Sequence, residues 1–181
     1  MTEAINDFEL IKQFLNGSEA AFNKIVIKYQ DKIYWHARRM TGNHLDADEI
    51  VQEVLLVMYN KLKTFQFKSS LYTWIYRITS TRSINLLRKN QVKRFFSIEE
   101  SEAAGLRTST DIIKNIEDKE KVDRINKALQ KLPAKQREVF IMRTYEELSY
   151  DEISEITGKS VGGLKANYFH AVNKLTELVK K

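Results

Sequence analysis

The chain has no cysteine, one proline, six glycines and three histidines among its 181 residues. Without thiols there is no disulfide, thiolate metal site or thiol redox switch, and a reducing compartment is the expected setting. Three scattered histidines do not form an imidazole cage, so no metal or other cofactor is expected. No apolar run approaches the roughly 20 residues that cross a bilayer. The start, Met1-Thr2-Glu3-Ala4-Ile5-Asn6-Asp7, lacks the basic and apolar stretches of a signal peptide. A cytoplasmic location without direct membrane insertion is therefore expected. Helix breakers are scarce and apolar residues recur at three- and four-residue spacing almost throughout, which predicts an all-α fold.

The length suits two small helical domains, since domains of about 60 residues can fold alone. Thirty Lys and Arg against 24 Asp and Glu leave a net charge of +6, which favours an acidic partner such as nucleic acid. In the first half, Ser18 is expected to cap a helix holding Phe22, Ile25, Val26 and Tyr29. Asp46, with Glu49 three residues on, is read as a capping-box-like start for a helix holding Ile50, Val54, Leu55 and Met58. A third long helix is expected from about Ser70 to Lys89. Residues 97–120 turn acidic and polar and are read as an interdomain linker. Helical spacing returns at Val122. Pro133 suits the first turn of a helix, and Ser149 with Glu152 forms a second capping box. Thr157-Gly158-Lys159-Ser160 then breaks the pattern before a last helix, which is helix-turn-helix spacing.

Charge is segregated within the first half. Residues 41–60 carry Asp46, Asp48, Glu49 and Glu53 with no Lys or Arg, whereas residues 61–94 hold nine Lys and Arg with no acid at all. That basic block also contains Phe65, Phe67, Tyr72, Trp74 and Tyr76. Cations neutralise phosphates and aromatic rings stack on unpaired bases, so the mixture suits single-stranded or opening DNA. The competing account makes Trp74 and Tyr76 core residues of a helix and the lysines a solvated face. For the acids, a helix cap with dipole-stabilising carboxylates and a surface for a basic partner are compatible readings. In the last helix Val161, Leu164, Tyr168, Val172 and Leu175 form an inward stripe. Ser160, Lys165, Ala166, Phe169 and His170 then lie outward, suited to major-groove contacts. Gly162 and Gly163 weaken the start of that helix, which close approach of its N-terminus to phosphates or relief of crowding at the turn would explain, and Phe169 would either contact a thymine methyl or pack under the C-terminal tail.

Two separated segments resemble one family. Asp46-Ala47-Asp48-Glu49-Ile50-Val51-Gln52-Glu53-Val54, Ser70-Leu71-Tyr72-Thr73-Trp74-Ile75-Tyr76-Arg77-Ile78 and Ile84-Asn85-Leu86-Leu87-Arg88 resemble region 2 of extracytoplasmic function sigma factors. Leu132-Pro133-Ala134-Lys135-Gln136-Arg137-Glu138-Val139-Phe140, Leu148-Ser149-Tyr150-Asp151-Glu152-Ile153 and Ser160-Val161-Gly162-Gly163-Leu164-Lys165 resemble region 4. The resemblance implies region 2 over 1–94, a flexible acidic linker over 95–120 on the family's path toward the RNA exit channel, and region 4 over 121–181. It implies a promoter-specificity subunit without catalytic residues or a small-molecule substrate, partnered by core RNA polymerase, promoter DNA and an anti-sigma factor. Position by position, Asp46, Asp48, Glu49, Gln52 and Glu53 would meet the polymerase. Lys68, Tyr72, Trp74, Tyr76, Arg77, Thr81, Arg82, Asn85 and Arg88 would serve the minus-10 element, and Ser160, Lys165, Ala166, Phe169 and His170 the minus-35 element. Many members place arginines where this chain has Lys165, Asn167 and His170, so bidentate guanine contacts are absent there. A stand-alone helix-turn-helix regulator would explain residues 122–181 but not the acid-free aromatic block. A metal-dependent nuclease would need more inward-facing acids or a histidine ligand.

Overall fold

A computed structural model describes residues 6–97 and 124–180, and every element within them is a helix or a turn. The first half holds α1 (Asp7–Leu15), α2 (Glu19–Thr41), α3 (His44–Lys61), a 3-10 turn (Leu62–Thr64) and α4 (Leu71–Ser97). The second half holds α5 over 124–130, α6 (Ala134–Thr144), α7 (Tyr150–Thr157) and α8 (Val161–Val179). The two expected helical domains are thus present, but α4 continues to Ser97 because no Gly or Pro interrupts it after Lys89. The expected boundary at 94 therefore falls inside a helix, and the rest of the expected linker lies outside the described residues.

Each half is built on its own apolar stripe. In the first, Ile25, Ile33 and Ala37 of α2 meet Ile50, Val54 and Met58 of α3 and Ile75 of α4, all at most 1% exposed. In the second, Val139, Met142, Leu148, Ile153, Ile156 and Leu164 form one cluster, with Ala128, Leu129, Leu132, Ala171 and Leu175 beside it. The inward stripe expected of α8 is present, with Leu164 and Leu175 buried and Val161, Tyr168 and Val172 half-buried.

The caps show which local signals decided the helix starts. Ser149 Oγ accepts from the Glu152 amide (3.2 Å) and Glu152 Oε2 accepts from the Ser149 amide (2.7 Å), completing the expected capping box. That reciprocal bond holds the Glu152 carboxyl below its usual range. Ser18 occupies the expected cap position without a side-chain bond, and Pro133 stands just ahead of α6. Asp46 is not the cap of α3. Gly42 ends α2 at φ 74°, the chain reverses at once, and the Asn43 carboxamide accepts from the Leu45 amide at 2.9 Å. Asp46 sits within the first turn, where a negative charge favours the helix dipole.

The halves are in contact, α2 against α6 and α4 against α7. Tyr76 of α4, 2% exposed, completes the Val139 cluster of the other half.

Candidate polymerase and nucleic-acid interfaces

On α3, Leu45, Glu49, Gln52 and Leu56 recur at four, seven and eleven residues and so share one solvent-facing stripe. Leu45 is 74% and Leu56 63% exposed. Asp48 lies beside it, 3.2 Å from His44 Nε2, and Asp46 reaches Asn90 at 3.4 Å. Glu49 and Gln52 have no hydrogen-bond or ion-pair partner among the described residues. The stripe is therefore a band of acceptors with a large apolar side chain at either end. Reading charge alone missed the two leucines, although their spacing from Glu49 and Gln52 was available.

Glu53 turns toward α4, 3.3 Å from Arg82. This pair crosses a cleft of about 120 Å³ lined by Glu49, Ile50, Glu53, Arg82, Asn85, Leu86 and Lys89. The acidic and basic segments, contiguous in sequence, are thus neighbouring surfaces that share an edge.

The acid-free block divides three ways in space. Arg77, Thr81, Asn85 and Arg88 follow one another at helical spacing along an exposed stripe of α4, with Arg82 half-exposed beside it and Lys68 exposed in the preceding loop. Trp74 is half-buried, its ring 5.5 Å from that of Phe65, and packs on the first core. Tyr72 and Tyr76 stack at 4.2 Å and face the second half. Burial raises the hydroxyl of Tyr72 to about 12 and that of Tyr76 further still, the Glu146 charge adding to the latter. Only the first of these groups presents an open cationic surface.

The loop before α4 contains a feature the sequence did not disclose. Phe67 adopts φ 54°, uncommon for a bulky side chain, and is 44% exposed. Its ring rests 5.0 Å from Phe8 and 4.9 Å from Phe65, which holds the loop in this conformation.

On α8, Ser160 caps the helix by accepting from the Gly163 amide at 3.2 Å. Lys165, Ala166, Phe169 and His170 are all exposed beyond it, Phe169 by 61%. Phe169 does not pack under the C-terminal turn, the bland alternative for its side chain. Asn167 bonds the Gly163 carbonyl at 2.8 Å. The two glycines differ: a Cβ on Gly163 would stand 3.2 Å from Ser160 Oγ, whereas one on Gly162 would meet nothing within 4 Å. Crowding accounts for Gly163 but not for Gly162. Across the described residues no His, Cys, Asp and Glu side chains are grouped to hold a metal ion, and no helix is long and apolar enough to cross a membrane.

Residues 25–92 match Sigma-70 region 2 and residues 123–175 match Sigma-70, region 4. The ECF RNA polymerase sigma factor SigW of Bacillus subtilis is 33% identical over 86% of this chain and 87% of its own length. The chain belongs to the ECF RNA polymerase sigma factors. The ECF RNA polymerase sigma-E factor of Escherichia coli K12 is 28% identical over the whole of both chains. Among solved structures, CnrH in complex with the cytosolic domain of CnrY superposes with a TM-score of 0.71, at 21% identity over 96% of this chain and 97% of that one. The sigma factor RpoE in complex with the anti-sigma factor NepR from Bartonella quintana gives 0.68, at 24% identity over 88% and 96%. Both likenesses concern the fold. In this ECF sigma factor α1–α4 thus contain the region 2 match, and α7 and α8 are the helix-turn-helix of region 4.

Proposed function

We propose that this ECF sigma factor directs promoter-specific initiation through three separate surfaces. The α3 stripe of Leu45, Glu49, Gln52 and Leu56, flanked by Asp46, Asp48 and Glu53, meets a basic, partly apolar face of core RNA polymerase. The α4 stripe of Arg77, Thr81, Asn85 and Arg88, with Lys68 and Arg82, follows the backbone of the minus-10 strand as it opens, where each phosphate neutralised releases a counterion. Trp74 and Tyr72 join that surface through their exposed edges, and Tyr76 joins it only when region 4 is displaced. The α8 face of Ser160, Lys165, Ala166, Phe169 and His170 enters the minus-35 major groove, with Phe169 suited to a thymine methyl.

The observation that carries this reading is the segregation of charge on two adjoining helices. One face is acidic and apolar, the next cationic, and they are joined at the Glu53–Arg82 edge. A duplex reader alone has no use for such a pair of faces. The protein works in the cytoplasm as a non-catalytic subunit and is held in check by an anti-sigma factor, as the complexes formed by its fold relatives suggest.

The test is run-off transcription with bacterial core polymerase on a pool of genomic promoter fragments, with and without the protein. Protein-dependent, promoter-selective transcripts are expected. Absence of both transcripts and core binding would return the chain to a stand-alone regulator.

A further inference from the structure

The outward side of α2 carries a row of side chains that neither the core nor the three surfaces assigned above account for. At 3.6 residues per turn, Lys24, Lys28, Lys32, Trp35 and Arg39 fall within an arc of about 80° and run for about 22 Å along the helix. The first four are exposed and Arg39 is half-exposed. Lys28 pairs with Asp7 at 2.6 Å. Lys24, Lys32 and Arg39 make no ion pair among the described residues. Of the two acids on α2, Glu19 accepts from Tyr59 on another side of the helix and Asp31 lies at the edge of the row.

Such a row works against the helix that bears it. Like charges four residues apart repel, and an indole left 41% exposed forgoes part of the gain from burial. The side chains are nevertheless held in order. The Arg39 guanidinium is 5.4 Å from the Trp35 ring and 4.3 Å from that of Tyr145, and the Tyr34 ring meets Trp35 edge-on at 5.3 Å. The Lys32 ammonium lies 5.4 Å from the ring of Tyr72, so the row on α2 adjoins the nucleic-acid surface of α4.

We propose that this row is a further nucleic-acid surface: it neutralises phosphates of the single strand where that strand leaves α4, and Trp35 stacks on one unpaired base. The path of the strand rests on the role proposed above for α4. Unpaired cations at one-turn spacing attract a polyanion and release its counterions, and an indole face accepts any base. An acidic protein helix would find only two large apolar anchors on this side, Ile27 and Trp35, about 12 Å apart along the axis. Continuity with α4 through Lys32 and Tyr72 favours the strand.

The test titrates the full chain onto a labelled single-stranded DNA of mixed sequence, by fluorescence anisotropy at several salt concentrations. Each phosphate contact on a single strand adds about 0.7 to the slope of log affinity against log salt, so Lys24→Gln with Lys32→Gln should lower its magnitude by about 1.4. Lys127→Gln with Lys131→Gln removes the same charge from exposed positions at α5 and should leave the slope unchanged. Trp35→Ala should weaken binding about five- to a hundredfold with the slope kept, because stacking releases no counterion. Circular dichroism checks that each variant is folded. An unchanged slope for the Lys24 and Lys32 variant, or an equal fall in the Lys127 and Lys131 control, overturns the proposal. A loss of affinity for core polymerase with DNA binding intact would make the row a protein surface and overturn it equally. Arg88→Gln, measured alongside, reports on α4 separately. A slope lowered there and not on α2 confines the strand to α4, whereas the reverse keeps the row on α2 and removes α4 from the strand's path.

Discussion

Replacing Gly162 with alanine separates the protein's own needs from those of its ligand. At the second position of α8 the new methyl would meet no atom within 4 Å, and no positive φ requires glycine there. Helix propensity favours alanine by about 1 kcal/mol in a helix interior, and about half that is a reasonable share for a first turn. A gain of this size raises the Tm of a small domain by about 2–4 °C. If the amide end of α8 lies against a phosphate, the methyl stands between them and removes about one charge-assisted hydrogen bond, about 1.5–3 kcal/mol, or on the order of ten- to a hundredfold in Kd. The variant should therefore melt later and bind upstream promoter duplex more weakly, read by circular dichroism and fluorescence anisotropy at fixed salt. A higher Tm with unchanged affinity would refute the close approach. Gly163→Ala is a poor substitute for this test, because its Cβ would crowd the Ser160 cap.

Trp74→Ala should destabilise the first half by about 2–3 kcal/mol, below the value for a fully buried indole because the ring is half exposed, and urea unfolding measures it. A loss under 0.5 kcal/mol would return Trp74 to a purely DNA-facing role. Glu49→Ala with Gln52→Ala removes exposed, unpaired groups, so stability should stay within about 0.5 kcal/mol while affinity for core polymerase falls about tenfold; unchanged affinity removes that face from the interface. Burial raises the Tyr72 hydroxyl to about 12 and that of Tyr76 further. Above pH 10 the folded chain thus holds protons that the unfolded chain has released, and stability present below pH 10 should be lost as the pH rises toward 12. Tyr72→Phe with Tyr76→Phe should flatten that fall in urea midpoints; an equally steep fall would assign it to other groups.

How much was legible in the sequence followed the range of the interactions involved. The Ser149–Glu152 box spans three residues and depends on nothing else in the chain, so it could be read from side-chain chemistry alone. The outward face of α8 was equally local, because its inward residues keep helical spacing along one stripe, packed on α6 and α7. The start of α3 was misassigned to Asp46 because a competing cap lay three residues earlier. Gly42 and Asn43 together reverse the chain and satisfy the first amide before Asp46 is reached.

The aromatic residues of α4 show why the rest was not legible. A helix with one buried side reveals its role through a single apolar stripe, but α4 packs on two bodies at once. Leu71 and Ile75 enter the first core, Tyr72 and Tyr76 serve the second half, Arg77 donates to the Glu155 carbonyl of α7, and Thr81, Asn85 and Arg88 are left for solvent. Two overlapping apolar stripes blur the period that would distinguish core from surface. The second partner is remote in sequence: the His36–Glu146 bond joins positions 110 residues apart. No local pattern could therefore assign Tyr76 to a core rather than to a base. The same division limits what any single aromatic substitution can show. Tyr76→Ala would weaken the contact between the halves and remove a candidate DNA contact together, and these act on DNA binding in opposite directions.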